Sequence, residues 1–160
     1  MNGTSLPDLG PHGEGWFAAQ MALFAAIAVA GTAGPEWQGG LWAASLAGGL
    51  VLMAAGGVLV LKGVLDLGSN LTPFPKPLSG ATLVECGAYG LVRHPIYGGL
   101  IIGAAGWSLA LASAPALALA ILLAAFFDLK SRREEVWLAE KFADYPSYRA
   151  RTRRLLPWLY

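Results

Sequence analysis

Apolar positions fall into three long runs, separated by polar segments that are rich in glycine and proline. The first run covers about residues 16–32, without a charge and with Gln20 as its amide, and the second covers about 41–61. Each run approaches the roughly 20 helical residues that cross a hydrocarbon core of ~30 Å. The turn residues of "AGPEWQGG" lie between them. The pattern therefore predicts two membrane-spanning helices in the first 70 residues.

The third apolar run extends from Pro95 to Phe127 without a charged side chain. As one helix of about 32 residues it would reach ~48 Å, which is too long for one crossing and short for two. The segment Ser113-Ala114-Pro115 offers a break, because proline disfavours a continuing helix. We therefore predict a tight hairpin of two short helices, at about 97–112 and 115–129.

After Phe127 the pattern becomes mixed, with apolar positions spaced as on one helix face, which predicts an amphipathic helix at about 129–143. The predicted fold class is all-α integral membrane, with about four transmembrane helices, a short 3–4 hairpin and a C-terminal amphipathic helix. We treat 1–160 as a single membrane domain. Its N-terminal two-helix part is 1–69, and 70–160 holds a loop, the hairpin and the tail.

Composition and the placement of charge support a membrane protein and give its orientation. Hydrophobic residues make up 56% and charged residues 13% of the chain, against roughly 25% charged residues in soluble domains. With four crossings, all eleven lysines and arginines fall on the side of both termini, and the other side carries Glu36. The positive-inside rule then predicts that both termini are cytoplasmic.

Several functional classes are disfavoured by the residue inventory. The chain has two histidines and one cysteine, without a CxxC or HExxH motif, so we expect no metal site. We expect no nucleic-acid partner, because the basic residues already serve as topogenic charges. The tail arginines are expected to contact anionic lipid head groups; these are Arg149, Arg151, Arg153 and Arg154. The sequence leaves the oligomeric state open.

The loop before the third apolar run contains several side chains that could bind a ligand. It carries prolines spaced by two in "TPFPKP", which forbid a regular helix, and then "GAYGLVRHPIYGG". Pro95 suits the first turn of a helix, whose free N–H groups favour an anion. Arg93, His94 and Tyr97 each have an ordinary interpretation as a snorkelling, helix-end or interfacial residue. Their convergence on one helix start favours a ligand site.

A pair of carboxylates, Glu134 and Glu135, follows the fourth apolar segment. One interpretation is a solvated charge run that pairs with neighbouring basic residues at helical spacing. The other is that a carboxylate reaches back toward the loop. Because the two ends of a helical hairpin are neighbours, the predicted hairpin permits His94 and Glu134 to face one pocket.

Three segments carry a family resemblance: "TLVECGAYGLVRHPIYGG", "REEVWLAEKF" and "YPSYRARTRRLLP". With the hairpin between the first two, residues 70–157 resemble the isoprenylcysteine carboxyl methyltransferase and phospholipid methyltransferase superfamily. The "TPFPKP" loop resembles its bacterial-type members, which implies a bacterial inner membrane. The resemblance implies S-adenosylmethionine as cofactor and a lipophilic acceptor that enters from the bilayer. It implies cofactor contacts at Ala81, Thr82, Leu83, Val84, Tyr89, His94, Pro95, Ile96, Tyr97 and Glu134.

The resemblance also implies catalytic residues, which we place at His94, Glu134, Lys130 and Arg133. The family's substrate-side arginine falls on Lys130, with Arg132 or Arg133 as an alternative. A carboxylate or thiolate acceptor needs such a cation to hold it, whereas an amine acceptor needs a base such as Glu134, Glu135 or His94. The sequence leaves the acceptor open: prenylated cysteine, phosphatidylethanolamine, a small thiol or another lipid.

Two other functions compete with the methyltransferase. Membrane reductases that bind a nicotinamide cofactor carry a similar histidine-proline-tyrosine loop, although their larger cofactor wants more binding surface. A membrane scaffold without activity, carrying a basic tail, would leave the glycine- and proline-rich loop unexplained. Binding of S-adenosylmethionine or of a nicotinamide cofactor distinguishes the three.

Overall fold

The computed structural model describes residues 6–157, and its regular structure is helical. The described residues form five α-helices: α1 (Glu14–Gly31), α2 (Gly39–Leu67), α3 (Pro95–Ala110), α4 (Ala114–Lys141) and α5 (Tyr145–Arg151). Two short 3₁₀ turns, Gly68–Asn70 and Gly87–Gly90, lie between α2 and α3. Strand-like pairing in residues 6–157 is confined to an isolated bridge between Val92 and Arg153.

Three of these helices are long and apolar enough to cross a membrane, namely α1, α2 and α4. Helix α3 is also apolar but has 16 residues, which correspond to about 24 Å. Of the four expected crossings, the one at α3 therefore falls on a helix that is shorter than a hydrocarbon core of ~30 Å. The class is that of an all-helical integral membrane protein, as the apolar runs predict.

Helix α2 packs along α3 through glycine. Gly49, Gly56 and Gly63 are its buried residues, and a Cβ at Gly56 would lie 2.5 Å from the carbonyl oxygen of Gly99. Small faces let the two backbones approach closely where apolar burial alone gives no drive for association in lipid. The stripes of small residues thus serve packing within the chain.

The hairpin break between α3 and α4 is confirmed. Helix α3 ends at Ala110, and α4 begins after Ser113, whose hydroxyl accepts from the backbone N–H of Ala116 at 3.3 Å. The same hydroxyl donates to the carbonyl of Ala30 at 2.9 Å, which ties this turn to the end of α1. The backbone N–H of Glu36 donates to Ala112 nearby at 2.9 Å, so the two loops of this end lie together.

A separate amphipathic helix at 129–143 is the prediction that proves wrong. Helix α4 continues to Lys141 without interruption. Between Pro115 and Pro146 there is no glycine or proline to stop it, so the change of texture after Phe127 marks a change of surroundings along one helix. The chain leaves the helix at Phe142, whose backbone is extended, and the short α5 follows.

The opposite end of the bundle gathers both described ends of the chain; we call it the basic end, since all the lysines and arginines belong to it. Lys76 donates from Nζ to the carbonyl of Pro11 at 3.0 Å. This bond joins the N-terminal segment to the "TPFPKP" segment, residues 72–77, which we call the proline loop. The backbone N–H groups of Arg93 and His94 donate to the carbonyls of Arg153 and Arg154 at 2.8 and 3.0 Å. The tail therefore lies beside the start of α3.

Candidate active site

A cavity of about 460 Å³ opens at the basic end, between the proline loop, the starts of α1 and α3 and the ends of α2 and α4. Its volume lies within the roughly 300–1,000 Å³ of typical small-molecule sites. Aromatic and apolar side chains form much of its wall, and a few polar groups converge on it. This combination is typical of a cofactor or substrate pocket.

The structure brings the expected cofactor contacts to this cavity, with one exception. The lining includes Ala81, Thr82, Leu83, Val84, Tyr89, His94, Ile96, Tyr97 and Glu134. Pro95 is fully buried beneath it as the first residue of α3. There it packs on α2, since a Cβ at Gly63 would lie 3.1 Å from Pro95 Cγ.

An aromatic column forms one wall. The His94 ring stacks on Tyr97 at 5.4 Å between centroids with a 1° tilt, and Tyr97 stacks on Phe127 at 4.6 Å. Phe127 is fully buried in the core of the bundle with Leu123. The column therefore connects the packed helices to the cavity and fixes the orientation of the histidine ring.

Glu134 reaches back to this column across the hairpin. Its Oε2 accepts from the Tyr97 hydroxyl at 2.7 Å and lies 3.9 Å from His94 Nδ1. Its side chain is 22% exposed, so the carboxylate keeps capacity for a ligand. The predicted proximity of His94 and Glu134 is present in the structure.

Lys130 and Arg133 point in different directions. Lys130 is 1% exposed, lines the cavity, and donates from Nζ to Gln20 Oε1 at 2.6 Å. Arg133 lies outside the cavity lining, pairs with Asp8, and stacks over the Trp137 ring at 4.2 Å. Lys130 therefore lies at the cavity, and Arg133 does not.

Glu135, the second member of the carboxylate pair, is the centre of a buried ion-pair cluster. Arg93 Nε lies 2.8 Å from its Oε1, and Arg154 Nε lies 3.3 Å from the same oxygen. His94 Nε2 is 3.4 Å away, which makes an ion pair when the ring is protonated. Glu135 is 3% exposed, and its contacts hold the loop, α4 and the tail together.

Three of the tail arginines form ion pairs within the protein. Arg154 pairs with Asp128 at 2.9 Å, Arg151 with Glu85 at 2.5 Å, and Arg149 with Glu135 at 3.6 Å. The tail thus folds back over carboxylates of α4 and of the loop. The side chains of Arg149 and Arg151 stay 56% and 57% exposed, so their contact with lipid head groups stays a prediction.

Two buried tyrosines of the tail also line the cavity, and the sequence reasoning did not assign them. The Tyr148 hydroxyl donates to the carbonyl of Tyr89 at 2.7 Å. The Tyr145 hydroxyl is buried without a hydrogen-bond partner in residues 6–157. Burial raises the pKa of Tyr89, Tyr145 and Tyr148 above that of an ordinary phenol, so these groups remain donors at neutral pH. In the sequence, Tyr145 and Tyr148 are the tyrosines of the "YPSY" motif, which was the signal that could have identified them.

The turn that presents Tyr89 depends on Asp66 at the end of α2. Asp66 Oδ2 accepts from the backbone N–H of Ala88 at 2.7 Å. Gly87 adopts φ +62°, and a side chain there would meet the same carboxylate, so glycine is required by conformation and by space. The loop is thus held in place from three sides: by α2, by α4 and by the tail.

Comparison with known protein families identifies the family of the chain. The family model described as phospholipid methyltransferase matches residues 44–145, which cover most of α2, the loop, α3, α4 and the first residue of α5. No curated protein matches the chain. Since more than half of its residues are matched, the chain belongs to the phospholipid methyltransferase family, a family of membrane methyltransferases.

Proposed function

We propose that the protein is an integral membrane methyltransferase that takes S-adenosylmethionine as methyl donor and a lipophilic or small molecule as acceptor. The observation that carries this proposal is the joining of His94, Tyr97 and Glu134 across the hairpin, at the wall of a cavity of suitable size. In the resemblance stated above, these three residues organise the cofactor first, and acid–base roles are secondary.

The groups around the cavity fit this cofactor chemically. The buried Tyr145 hydroxyl, which has no partner among the described residues, offers a donor to a ligand. The Glu134 carboxylate suits ribose hydroxyls or an amino group, and the tyrosine faces suit a sulfonium cation. The consecutive residues Thr82, Leu83 and Val84 line the same cavity. The backbone of that loop segment supplies further polar groups.

When bound, S-adenosylmethionine supplies a methyl group that a positive sulfur activates toward in-line displacement. The residues of this chain then have to align the acceptor with the methyl group and exclude water from the cavity. Alignment and exclusion of water both accelerate reactions in enzyme sites. Lys130 holds a carboxylate or thiolate acceptor through its charge. An amine acceptor requires a proton to be removed, for which Glu134 lies in reach of the cavity.

An apolar groove supports a lipophilic acceptor. The groove has a volume of about 690 Å³, lies between α1, α2 and α3, and shares Val64 and Leu100 with the cavity. Its wall includes Phe24 and Trp107, and two of the three helices that form it, α1 and α2, are long and apolar enough to cross a membrane. A chain in this groove would bring its head group to the cavity from the side.

The proposal includes the location of the protein. S-adenosylmethionine is made in the cytosol, so we place the basic end, with both termini, in the cytoplasm. This agrees with the placement of every lysine and arginine at that end. The bacterial character of the proline loop favours a bacterial inner membrane.

The test is calorimetric titration of the detergent-purified protein with S-adenosylhomocysteine, the product form of the cofactor, with a reduced nicotinamide dinucleotide phosphate titrated in parallel. We expect saturable binding of the first alone. Binding of the second alone would replace the proposal with a membrane reductase, and binding of neither would favour a scaffold without activity.

A further inference from the structure

The apolar groove has one end at the cavity and one end far from it. Helices α1 and α3 run away from the basic end, and α2 runs toward it. Val64 and Leu100, which the groove shares with the cavity, therefore lie at its near end. Ala28, Met53 and Trp107 lie at its far end. A chain that extends from the cavity into the groove meets these three residues last.

The Trp107 indole spans the far end of the groove from α3 to α1. A Cβ at Gly31, the last residue of α1, would lie 2.7 Å from Trp107 Nε1, so the ring lies against the backbone of α1. Met53 of α2 packs on α3 beside it, since a Cβ at Gly106 would lie 2.9 Å from Met53 Cγ. Two large side chains thus close this end of the groove.

Between its two ends, the groove is bordered by glycines that helix packing does not require. Gly57 of α2 and Gly103 of α3 line it, and a Cβ at either position would meet no atom of the described residues within 4 Å. At Gly56, by contrast, a Cβ would lie 2.5 Å from the carbonyl oxygen of Gly99. Glycine lets a ligand approach the backbone closely, so Gly57 and Gly103 leave room for a chain.

The length of the groove follows from the rise of the helices that form it. At about 1.5 Å per residue, the segment from Leu100 to Trp107 spans about 10 Å, and that from Met53 to Val64 about 16 Å. An extended hydrocarbon chain advances by about 1.25 Å per carbon, given bonds of about 1.5 Å at nearly tetrahedral angles. The groove therefore accommodates about 8–13 carbons between the cavity and Trp107.

We propose that Trp107 limits the chain length of the methyl acceptor. The continuity of groove and cavity through Val64 and Leu100 favours the acceptor as occupant. Its hydrocarbon chain lies in the groove, its reacting end enters the cavity past Leu100, and the indole obstructs chains of more than about 13 carbons. The inference rests on the proposed methyltransferase function and names its acceptor as a lipid of medium chain length. Trp107 is a specificity-determining residue, remote from the reacting atoms.

The experiment compares three probes with one head group, the S-butyl, S-dodecyl and S-octadecyl thioethers of N-acetylcysteine. Affinities are measured by calorimetry in one detergent with S-adenosylhomocysteine present. For each probe, the affinity of a variant is divided by that of the wild type, so that partitioning of the probe into micelles cancels.

Two variants change the groove in opposite directions. W107A removes the indole at the far end, and G103L places a leucine side chain in the open space midway. W42A and G48L are the matched controls, because Trp42 and Gly48 are exposed and lie outside the groove lining.

We expect W107A to bind the octadecyl probe about tenfold more tightly than the wild type does, since one methylene too many in an apolar pocket discriminates on this scale. G103L is expected to bind the dodecyl and octadecyl probes about tenfold more weakly than the wild type. The butyl probe is too short to extend far beyond Gly103, so its affinity stays unchanged in both variants. The controls bind all three probes like the wild type, and every variant keeps its affinity for S-adenosylhomocysteine.

Other outcomes overturn the inference in distinguishable ways. If W107A and G103L bind all three probes as the controls do, the chain of the acceptor lies outside the groove. If W107A weakens all three probes alike, Trp107 supports the shape of the site and does not limit chain length. Because the two variants predict changes of opposite sign at separate positions, either one tests the inference if the other does not fold. In these cases S-adenosylhomocysteine still binds to the wild type, and the proposed function stands; absence of that binding would remove the proposed function itself.

Discussion

The hydroxyl of Tyr97, in the first turn of α3, donates to the carboxylate of Glu134, near the end of α4, at 2.7 Å. The two residues are 37 positions apart in the chain, and the α3–α4 hairpin makes them neighbours. The bond fixes Glu134 beside the His94 ring. This pair is the point at which the fold assembles the cavity wall.

We expect E134Q to weaken S-adenosylhomocysteine binding about tenfold and to leave the protein folded. The amide still accepts from Tyr97, but the charge is lost, and hydrogen bonds to charged groups are stronger than neutral ones by about 1 kcal/mol or more. A difference of ~1.4 kcal/mol corresponds to tenfold in affinity. Calorimetry on the purified variant measures the effect.

E140Q is the matched control for this experiment, because Glu140 lies on the same helix and is exposed. It is expected to bind like the wild type. Equal affinities of E134Q and the wild type would show that the Glu134 charge does not serve the cofactor.

E135Q is expected to act on stability more than E134Q does. Glu135 is 3% exposed and compensates the buried Arg93 guanidinium at 2.8 Å, so its neutralisation leaves buried positive charge without a partner. Breaking a buried ion pair in this way costs about 3–5 kcal/mol. The apparent Tm in detergent is expected to fall clearly below those of the wild type and E134Q.

A Tm of E135Q equal to that of E134Q would contradict this assignment of roles within the carboxylate pair. The result would mean that the cluster around Glu135 is dispensable for the fold and that the pair acts as one unit.

The sequence allowed the meeting of His94 and Glu134 to be predicted because it follows from connectivity. A proline-marked break between two apolar segments implies a hairpin, and the ends of a hairpin are neighbours whatever the packing details. The choice between Glu134 and Glu135 depends instead on the rotation of α4, since successive residues on a helix differ by about 100°. The burial of Glu135 with Arg93 therefore emerged from the structure.

Gln20 and the tail show two other limits. A lone amide in an apolar run gives no sign of its partner, and Lys130 is 110 positions away. The tail binds the loop partly through backbone groups, as between Arg93 and Arg153, and backbone pairing leaves no side-chain pattern. The sequence pattern predicted a helix boundary near residue 129, inside α4, and the structure has none there. The prediction was wrong because a change in polarity was taken as the end of a helix.

The contact between the tail and α3 gives a prediction that depends on one methyl group. A Cβ at Gly98 would overlap the backbone carbonyl oxygen of Leu155, so G98A must displace the tail from the start of α3. We expect a lower apparent Tm and weaker S-adenosylhomocysteine binding, because Tyr145 and Tyr148 of the tail line the cavity.

Gly103 on the same helix is the control, since a Cβ there meets nothing within 4 Å. G103A is expected to keep both the wild-type Tm and the wild-type affinity. A comparable loss in both variants would mean that α3 does not tolerate alanine in general, and the tail contact would lose its support.

The orientation in the membrane is tested by labelling from one side. On a C86S background, which removes the exposed cysteine, single cysteines replace Glu36 or Ser147. Glu36 belongs to the loop beside the α3–α4 turn, and Ser147 lies in α5 at the basic end. Because lysine and arginine at this density resist translocation, an impermeant maleimide added to intact cells is expected to label E36C alone. S147C is expected to react only after the cells are permeabilised, which shows that its thiol is accessible.

Labelling of S147C in intact cells, with protection of E36C, would place the cavity outside the cell. It would then be separated from a cytosolic methyl donor, so the same result would also remove the proposed cofactor.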